Sequence, residues 1–194
     1  VPKEDMVRNR DIENTWLLGD SGGFQIGKGV WEGDWKDPNC PKAQKKRDGV
    51  LKWMDAYMDY GMILDIPAWV SRSPEGAKAT GISTYQEAVK ATRINNDYWM
   101  KNRTGSCKFL NVLQGENHAD ADDWYAQMKD YCDPKKYPND HFNGWSMGGQ
   151  NMCDIHLALK RLVALRFDGL LEKGVHDVMH FLGTSKLEWA TLLT

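Results

Sequence analysis

The chain has 194 residues, with 25 Lys and Arg against 27 Asp and Glu, so its formal net charge is −2 with histidine neutral. A hydrophobic fraction of 41% and an aromatic fraction of 11% are typical of an ordered globular protein and exclude a wholly disordered one. The near-neutral charge excludes a strongly basic coat for nucleic acid, although it allows a local basic groove.

The length suits one sizeable core, and we expect a single βα domain over residues 1–194. There is no apolar run of about 18 residues, and no basic segment followed by an apolar stretch at the N-terminus. The sequence therefore predicts no membrane span and a cytoplasmic location. The four cysteines lack the short spacings of a zinc site, so we predict ordinary thiols and no metal within these residues.

Five short apolar runs that end in glycine or a polar residue predict strands. They occupy residues 16–18, 62–64, 109–113, 144–147 and 178–182. Segments of helical spacing alternate with them, near residues 50–58, 84–102, 120–131 and 155–166, and from Ser185 onward. Capping patterns at Ser83 and Thr84 and an Asp at position 120 support two of these starts. The βαβα alternation predicts a mostly parallel sheet covered by helices.

A long loop over residues 27–47 ends in a basic cluster that includes Lys45, Lys46 and Arg47. This cluster is either a solvated surface or a set of phosphate contacts. Three tryptophans in predicted loops are candidates for stacking on unpaired bases, whereas those in periodic segments are predicted to be core. The loop set is Trp31, Trp35 and Trp69; the core set is Trp16, Trp53, Trp99, Trp124 and Trp189.

The unusual residues collect where the predicted strands end. Asp20, Asp65 and Gln114 each follow a different strand, and Gly148 with Gly149 follows another. In parallel α/β proteins ligands bind at this edge of the sheet. Carboxylates and an amide beside glycines suit a planar polar ligand such as a guanine-like base, which offers N–H donors and one carbonyl acceptor. Taken singly, each of these residues can equally be a helix cap or part of a turn.

Five motifs in this order resemble the tRNA-guanine transglycosylase superfamily. They are DSGGFQ at residues 20–25, LDIP at 64–67, VLQG at 112–115, GWSMGG at 144–149 and HFLGT at 180–184. The residues in these motifs resemble those of the phage and bacterial branch, which places 7-deazaguanines into DNA, more closely than those of the tRNA enzymes. A phage-encoded member would work in the host cytoplasm.

The resemblance implies a base-exchange glycosyltransferase in which an aspartate attacks C1′, guanine leaves, and a 7-deazaguanine displaces the enzyme. It assigns Asp20 to catalysis, where it contacts the base and assists proton transfer. The base-binding residues that it implies are Asp65, Gln114, Gly148, Gly149, Ser21 and Gly22, with Phe24 and Leu182 sandwiching the ring. Lys45, Lys46 and Arg47 are candidate contacts to nucleic acid.

The resemblance also implies a (β/α)₈ barrel of the TIM type, of which this chain supplies about five βα units, from the third strand to the seventh. The attacking aspartate and a structural zinc site of cysteines and histidine lie later in the family's sequences. We therefore expect the chain to be the central part of a longer protein. If the chain is complete, an open doubly wound sheet fits its length better.

The implied partners are DNA and a 7-deazaguanine base, with accessory proteins or a second copy of the chain as further candidates, and no membrane. No cofactor is identifiable within these residues. Two other interpretations stay open: exchange in tRNA, and a non-catalytic subunit that binds a base or nucleic acid without the nucleophile. An unrelated α/β enzyme that shares only the DSGGFQ loop fits the five ordered motifs poorly.

Overall fold

Five parallel strands form the centre of the computed structural model, which describes residues 7–184 and 187–193. Every strand is hydrogen-bonded to the next one along the chain, so the order is β1-β2-β3-β4-β5, and the sheet curls as half of a barrel. A doubly wound sheet instead reverses its strand order at a switch point. The strands are β1 (Leu18–Gly19), β2 (Tyr60–Met62), β3 (Lys108–Leu113), β4 (Gly144–Met147) and β5 (Val178–Phe181).

The strand register brings the residues that follow the strands to one edge. Gly19 pairs with Gly61, Leu113 pairs with Met147, and Met147 pairs with Phe181. Beyond β2 the ladder continues for one further bond, in which the Ile63 amide donates to the Leu110 carbonyl. All five strands run the same way, so their carboxyl ends meet at a single mouth.

Helices cover the sheet and connect its strands. They are α1 (Gly23–Gly27), α2 (Pro41–Tyr57), α3 (Pro74–Thr80), α4 (Tyr85–Asn102), α5 (His118–Met128), α6 (Ile155–Phe167) and α7 (Leu187–Leu193). Single 3₁₀ turns span Ala68–Arg72, Lys129–Cys132 and Gly149–Met152. Within residues 7–184 and 187–193, no helix is both long and apolar enough to span a bilayer.

Side-chain caps set where several helices begin. Ser73, Thr84, Asn117 and Asp154 each accept a hydrogen bond from a backbone N–H in the first turn of α3, α4, α5 and α6. Such caps satisfy amides that have no partner inside the helix. The predicted cap at Thr84 is confirmed, whereas the predicted start at Asp120 is wrong, because Asn117 accepts from the Asp120 N–H.

The core lies between the sheet and its helices and is rich in aromatic side chains. Trp99, Trp124, Trp145 and Phe109 are fully buried. The Trp124 indole donates to the Val112 carbonyl at 2.9 Å, which satisfies its polar group inside the core. β3 is buried along five of its six residues, as expected for a strand covered on both faces.

The structure corrects several expectations about individual segments. The second strand begins two residues before the predicted one, and α2 begins at Pro41, inside the segment predicted as a long loop. Trp16 and Trp53, predicted as core, are 53% and 38% exposed, whereas Trp35, predicted as a loop residue able to stack on bases, is fully buried. The expected helix start at Ser185 lies outside the described residues.

Candidate functional site

Asp65 and Gln114 lie side by side at the mouth of the sheet. Asp65 comes three residues after β2, and Gln114 comes directly after β3. The Gln114 Nε2 donates to Asp65 Oδ2 at 2.8 Å, and both side chains are buried. The structure thus brings together the two residues that the sequence predicted to read the polar edge of a base.

The carboxyl of Asp65 is poised between its two protonation states. Burial raises its pKa from 3.8 to about 7, against the hydrogen bond from Gln114, and the nearby Asp20 carboxylate raises it further. Carboxyl groups with strongly raised pKa values are concentrated at functional sites, where a group that titrates near neutral pH can exchange a proton with a ligand. Asp65 is therefore suited to bind a ligand that presents N–H donors.

Two side chains of α4 hold the backbone on both sides of Asp65. Thr92 Oγ1 accepts from the Ile66 N–H at 2.9 Å, and the Asn95 Nδ2 donates to the Leu64 carbonyl at 2.6 Å. Thr92 and Asn95 are fully buried. They fix the short extended segment that carries Asp65, which has few ladder bonds of its own.

Arg47 belongs to this internal support, which corrects its assignment as a nucleic-acid contact. Its side chain is 1% exposed, and its Nε donates to Asn95 Oδ1 at 2.5 Å. Its other nitrogens donate to the carbonyls of Trp35 and Pro38. The guanidinium donates its hydrogen bonds to acceptors inside the fold, so it is not available to bind a phosphate group.

Gly148 and Gly149 let the end of β4 approach Gln114 closely. A Cβ on Gly149, whose φ is +57°, would lie 2.5 Å from the Gly115 carbonyl oxygen and 2.9 Å from Gln114 Oε1. A Cβ on Gly148 would lie 3.0 Å from Gln114 Nε2 and 3.1 Å from Leu182 Cδ1. Only glycine fits at position 149 without displacing the Gln114 strand end.

Asn151 fastens the same two strand ends, a role that the sequence analysis missed. Its Nδ2 donates to the Gly148 carbonyl at 3.0 Å and to the Gln114 carbonyl at 3.3 Å. Its Oδ1 is buried and has no hydrogen-bond partner among the described atoms. A buried acceptor without a partner has an energetic cost, so its position beside Gln114 marks a polar part of the mouth.

The DSGGFQ turn brings Asp20 to the same mouth. Asp20 Oδ1 accepts from the Gly22 N–H at 3.1 Å, and Gly22 has the left-handed φ of +82°. A Cβ on Gly23 would lie 2.8 Å from Asp65 Oδ1, so this turn packs directly on Asp65. Asp20 itself is exposed, whereas Ser21 is buried.

Phe24 and Leu182 flank the mouth from its two outer strands. Phe24 lies in α1, after β1, and is 58% exposed with its ring 5.9 Å from that of Trp69. Leu182 follows β5 and is half-buried beside Gly148. They follow the first and the last strand of the sheet, and the sandwich around a flat ring stays a prediction.

Lys45 and Lys46 are exposed and line a cleft of about 480 Å³ that opens beside Asp20. Ser21, Gly22, Trp31 and Trp53 line the same cleft. The cleft lies next to the Asp65–Gln114 pair and does not include it. The predicted basic contacts therefore divide into two exposed lysines at this cleft and one buried arginine.

No group of three His, Cys, Asp or Glu side chains within 7–184 and 187–193 is arranged to hold a metal. His118 is exposed, and its Nε2 lies 2.8 Å from Asp154 Oδ2. The expected zinc site concerns residues after this chain and stays a prediction.

The sequence contained a signal for Thr92 and Asn95 that we did not use. Both are polar and lie three residues apart on the face of a predicted helix that also carries Ala88, Ala91 and Trp99, all buried. Polar residues on an apolar face usually hydrogen-bond to backbone groups. No comparable signal marked Asn151, which lies outside any periodic segment.

Comparisons of the chain with protein-family models, with curated proteins and with solved structures find no match.

Proposed function

We propose that this chain forms the base-recognition part of a guanine transglycosylase that replaces guanine in DNA with a 7-deazaguanine derivative. The observation that carries the proposal is the buried Asp65–Gln114 pair, which lies between the Gly148–Gly149 strand end and the Asp20 turn. All the motifs of the resemblance thereby meet at one place, although they are spread over more than 160 residues of sequence.

The site offers the groups that a guanine-like base requires. An ionised Asp65 accepts hydrogen bonds from N1–H and from the exocyclic amine of the base. The Gly149 N–H is the proposed donor to O6, because the Gly148 N–H already donates to the Leu113 carbonyl at 2.8 Å. Phe24 and Leu182 then cover the two faces of the ring by stacking and dispersion.

In the proposed reaction a carboxylate attacks C1′ of the nucleoside, and the C1′–N9 bond breaks with its electron pair passing to guanine N9. Asp20 assists the proton transfers to the leaving guanine and from the incoming base. N9 of the 7-deazaguanine then attacks C1′ and releases the carboxylate, so the nucleic-acid backbone is never cut. The resemblance places the attacking carboxylate on the strand that follows the HFLGT segment.

The fold supports this proposal. A curled, parallel sheet in sequential order is the arrangement of consecutive strands in a (β/α)₈ barrel, and barrel enzymes act at the carboxyl ends of their strands. We propose that the complete enzyme closes such a barrel, in which the five strands described here supply the base-reading side.

Binding of the free base to this chain tests the recognition step. Titration calorimetry with 7-cyano-7-deazaguanine and with guanine should give saturable binding, and adenine should bind at least tenfold more weakly, because its polar edge does not match. Asp65→Ala should abolish binding. Asp130→Ala, a surface carboxylate that pairs with Lys136, is the matched control and should bind normally. Equal binding by Asp65→Ala would overturn the site assignment.

Mass spectrometry of nucleosides tests the substrate. Cells that express the complete gene and are supplied with a 7-deazaguanine should contain the modified deoxynucleoside in their DNA. Modification confined to tRNA would move the protein to the tRNA branch. No modification in either nucleic acid, together with normal binding of the base, would support the non-catalytic subunit.

A further inference from the structure

The cleft beside Asp20 has one wall made by a single face of α2. Lys45, Lys46, Gly49, Val50 and Trp53 recur at spacings of three and four residues, which places them on the same side of the helix. The opposite wall consists of Trp31 and the turn at Asp20, Ser21 and Gly22. The cleft therefore begins where the proposed base-exchange site ends.

The charges on α2 distinguish the two lysines of the cleft from their neighbours. Lys42 pairs with Glu32 at 3.1 Å, and Lys52 pairs with Asp48 at 2.8 Å. In the described part of the chain, neither Lys45 nor Lys46 forms an ion pair with a carboxylate. The cleft thus presents two lysines that lie beyond ion-pair distance of every described carboxylate, and Asp20 is the one acidic side chain in its lining.

Aromatic rings complete the walls. The Lys46 Nζ lies 4.7 Å from the centroid of the Trp31 ring, a cation–π contact that holds this lysine at the cleft. The Trp31 ring in turn packs against Gly22, where a Cβ would lie 2.6 Å from it. Trp53 contributes a second indole that is 38% exposed. Base–aromatic stacking together with a lysine is a common way to bind single-stranded nucleic acid.

Gly49 leaves the α2 wall of the cleft open between the lysines and Trp53. Glycine weakens the interior of a helix, yet a Cβ at this position would meet no atom within 4 Å. Packing within the protein therefore does not require glycine here. Its missing side chain keeps the floor of the cleft low between the lysines and Trp53.

We propose that this cleft holds the nucleotide next to the exchanged one, with its base stacked on Trp53 and its phosphates beside Lys45 and Lys46. The inference rests on the proposed function only in taking the occupant as part of the substrate strand. The turn that lines the cleft with Asp20, Ser21 and Gly22 continues into Gly23, which packs on Asp65, so the cleft adjoins the site proposed for the exchanged base. Its volume of about 480 Å³ is in the range of sites for ligands of this size.

Binding of a fluorescent single-stranded oligodeoxynucleotide of eight residues tests the proposal. The double variant Lys45→Ala/Lys46→Ala should weaken binding at least tenfold and reduce the slope of log K against log salt by about 1.4, the value for two phosphate contacts on a single strand. Lys42→Ala/Lys52→Ala removes the same charge from the same helix and is the matched control, which should change affinity less than threefold. Trp53→Ala should also weaken binding about tenfold, and Trp53→Phe should restore most of it.

The free base separates this inference from the proposed function. Lys45→Ala/Lys46→Ala should bind 7-cyano-7-deazaguanine as the wild type does, because the base site does not include the lysines. If both lysine pairs weaken the oligonucleotide equally, the effect is general charge and the cleft is not the site. If the wild-type chain binds the oligonucleotide but not the base, the cleft stands and the proposed function fails.

Discussion

The Gln114 amide donates a 2.8 Å hydrogen bond to Asp65 across the ends of two neighbouring strands, and this bond fixes the orientation of the Asp65 carboxyl. Asp65 Oδ2 is engaged by Gln114, while Oδ1 faces the DSGGFQ turn at Gly23. The Gln114 Oε1 lies against Gly149. One amide therefore connects the carboxyl that is proposed to read the base with the Gly148–Gly149 strand end.

The raised pKa of Asp65 predicts that the protein loses stability as the pH rises. Below about pH 4 both the folded and unfolded states hold the proton. Between about pH 4 and 7 only the folded state holds it, because burial raises the folded pKa from 3.8 to about 7. The free energy of unfolding should therefore fall by about 1.4 kcal/mol per pH unit, roughly 4 kcal/mol in all, and then level off.

Asp65→Asn removes this contribution while keeping the shape of the side chain. Urea unfolding at pH 5 and at pH 8 should show the variant gaining stability relative to the wild type as the pH rises. The same difference between variant and wild type at both pH values would contradict a buried titrating carboxyl at this position.

Affinity for the free base should rise with pH for the same reason. Only ionised Asp65 accepts both N–H donors of the base, and with a pKa of about 7 some nine-tenths of the sites are protonated at pH 6. The dissociation constant should thus be about tenfold larger at pH 6 than at pH 8, as measured by calorimetry. His180 is another titratable group near Asp20, and burial lowers its pKa. His180→Gln removes this group and is therefore the control, which should keep the same pH dependence. A flat profile would mean that protonated Asp65 binds the base.

Gly149→Ala should damage both stability and base binding. The substitution places a side chain at φ +57°, which costs roughly 1–2 kcal/mol, and forces the new Cβ against Gly115 and Gln114. Gly174→Ala is the matched control, because Gly174 has φ +85° with no atom within 4 Å of the new Cβ. Urea unfolding should show the smaller loss for Gly174→Ala, with normal base affinity. Equal losses for both variants would show that backbone strain alone accounts for the effect.

Arg47 and its neighbours Lys45 and Lys46 should behave in opposite ways. Arg47→Lys removes the guanidinium that donates to Asn95, Trp35 and Pro38, and it leaves buried acceptors unpaired. The free energy of unfolding should therefore fall by about 2–4 kcal/mol. At temperatures where this variant is folded, its affinity for the oligonucleotide should be unchanged. Lys45→Ala/Lys46→Ala should keep its stability within about 1 kcal/mol, since both side chains are exposed. Loss of oligonucleotide binding in folded Arg47→Lys would contradict the internal role of Arg47.

The sequence predicted the parts of the site that are set by strand ends. Asp65 and Gln114 come together because parallel strands align their carboxyl ends, a rule that needs no knowledge of side-chain packing. The alternation of strands and helices likewise predicted the parallel sheet, although β1 and β2 are so short that their bounds depend on hydrogen bonds with neighbours.

Residues whose role depends on tertiary packing were not predictable in the same way. Arg47 follows two lysines in the sequence, and nothing local distinguishes a buried arginine from an exposed one. Trp53 has helical spacing with core residues, yet its ring faces the cleft, because the buried face of α2 is set by Leu51 and Met54. Side-chain burial on a helix depends on which face the rest of the fold covers.

The agreement between strand order and chain order bears on how the molecule assembles during synthesis. Each new strand adds to an edge formed by the strand made just before it, so the sheet grows in one direction as the chain leaves the ribosome. The two strand ends that the Asp65–Gln114 bond joins, and the helices α4 and α5 that cover them, are complete by residue 128. The elements that carry Asp65 and Gln114 are thus synthesised before the last two strands.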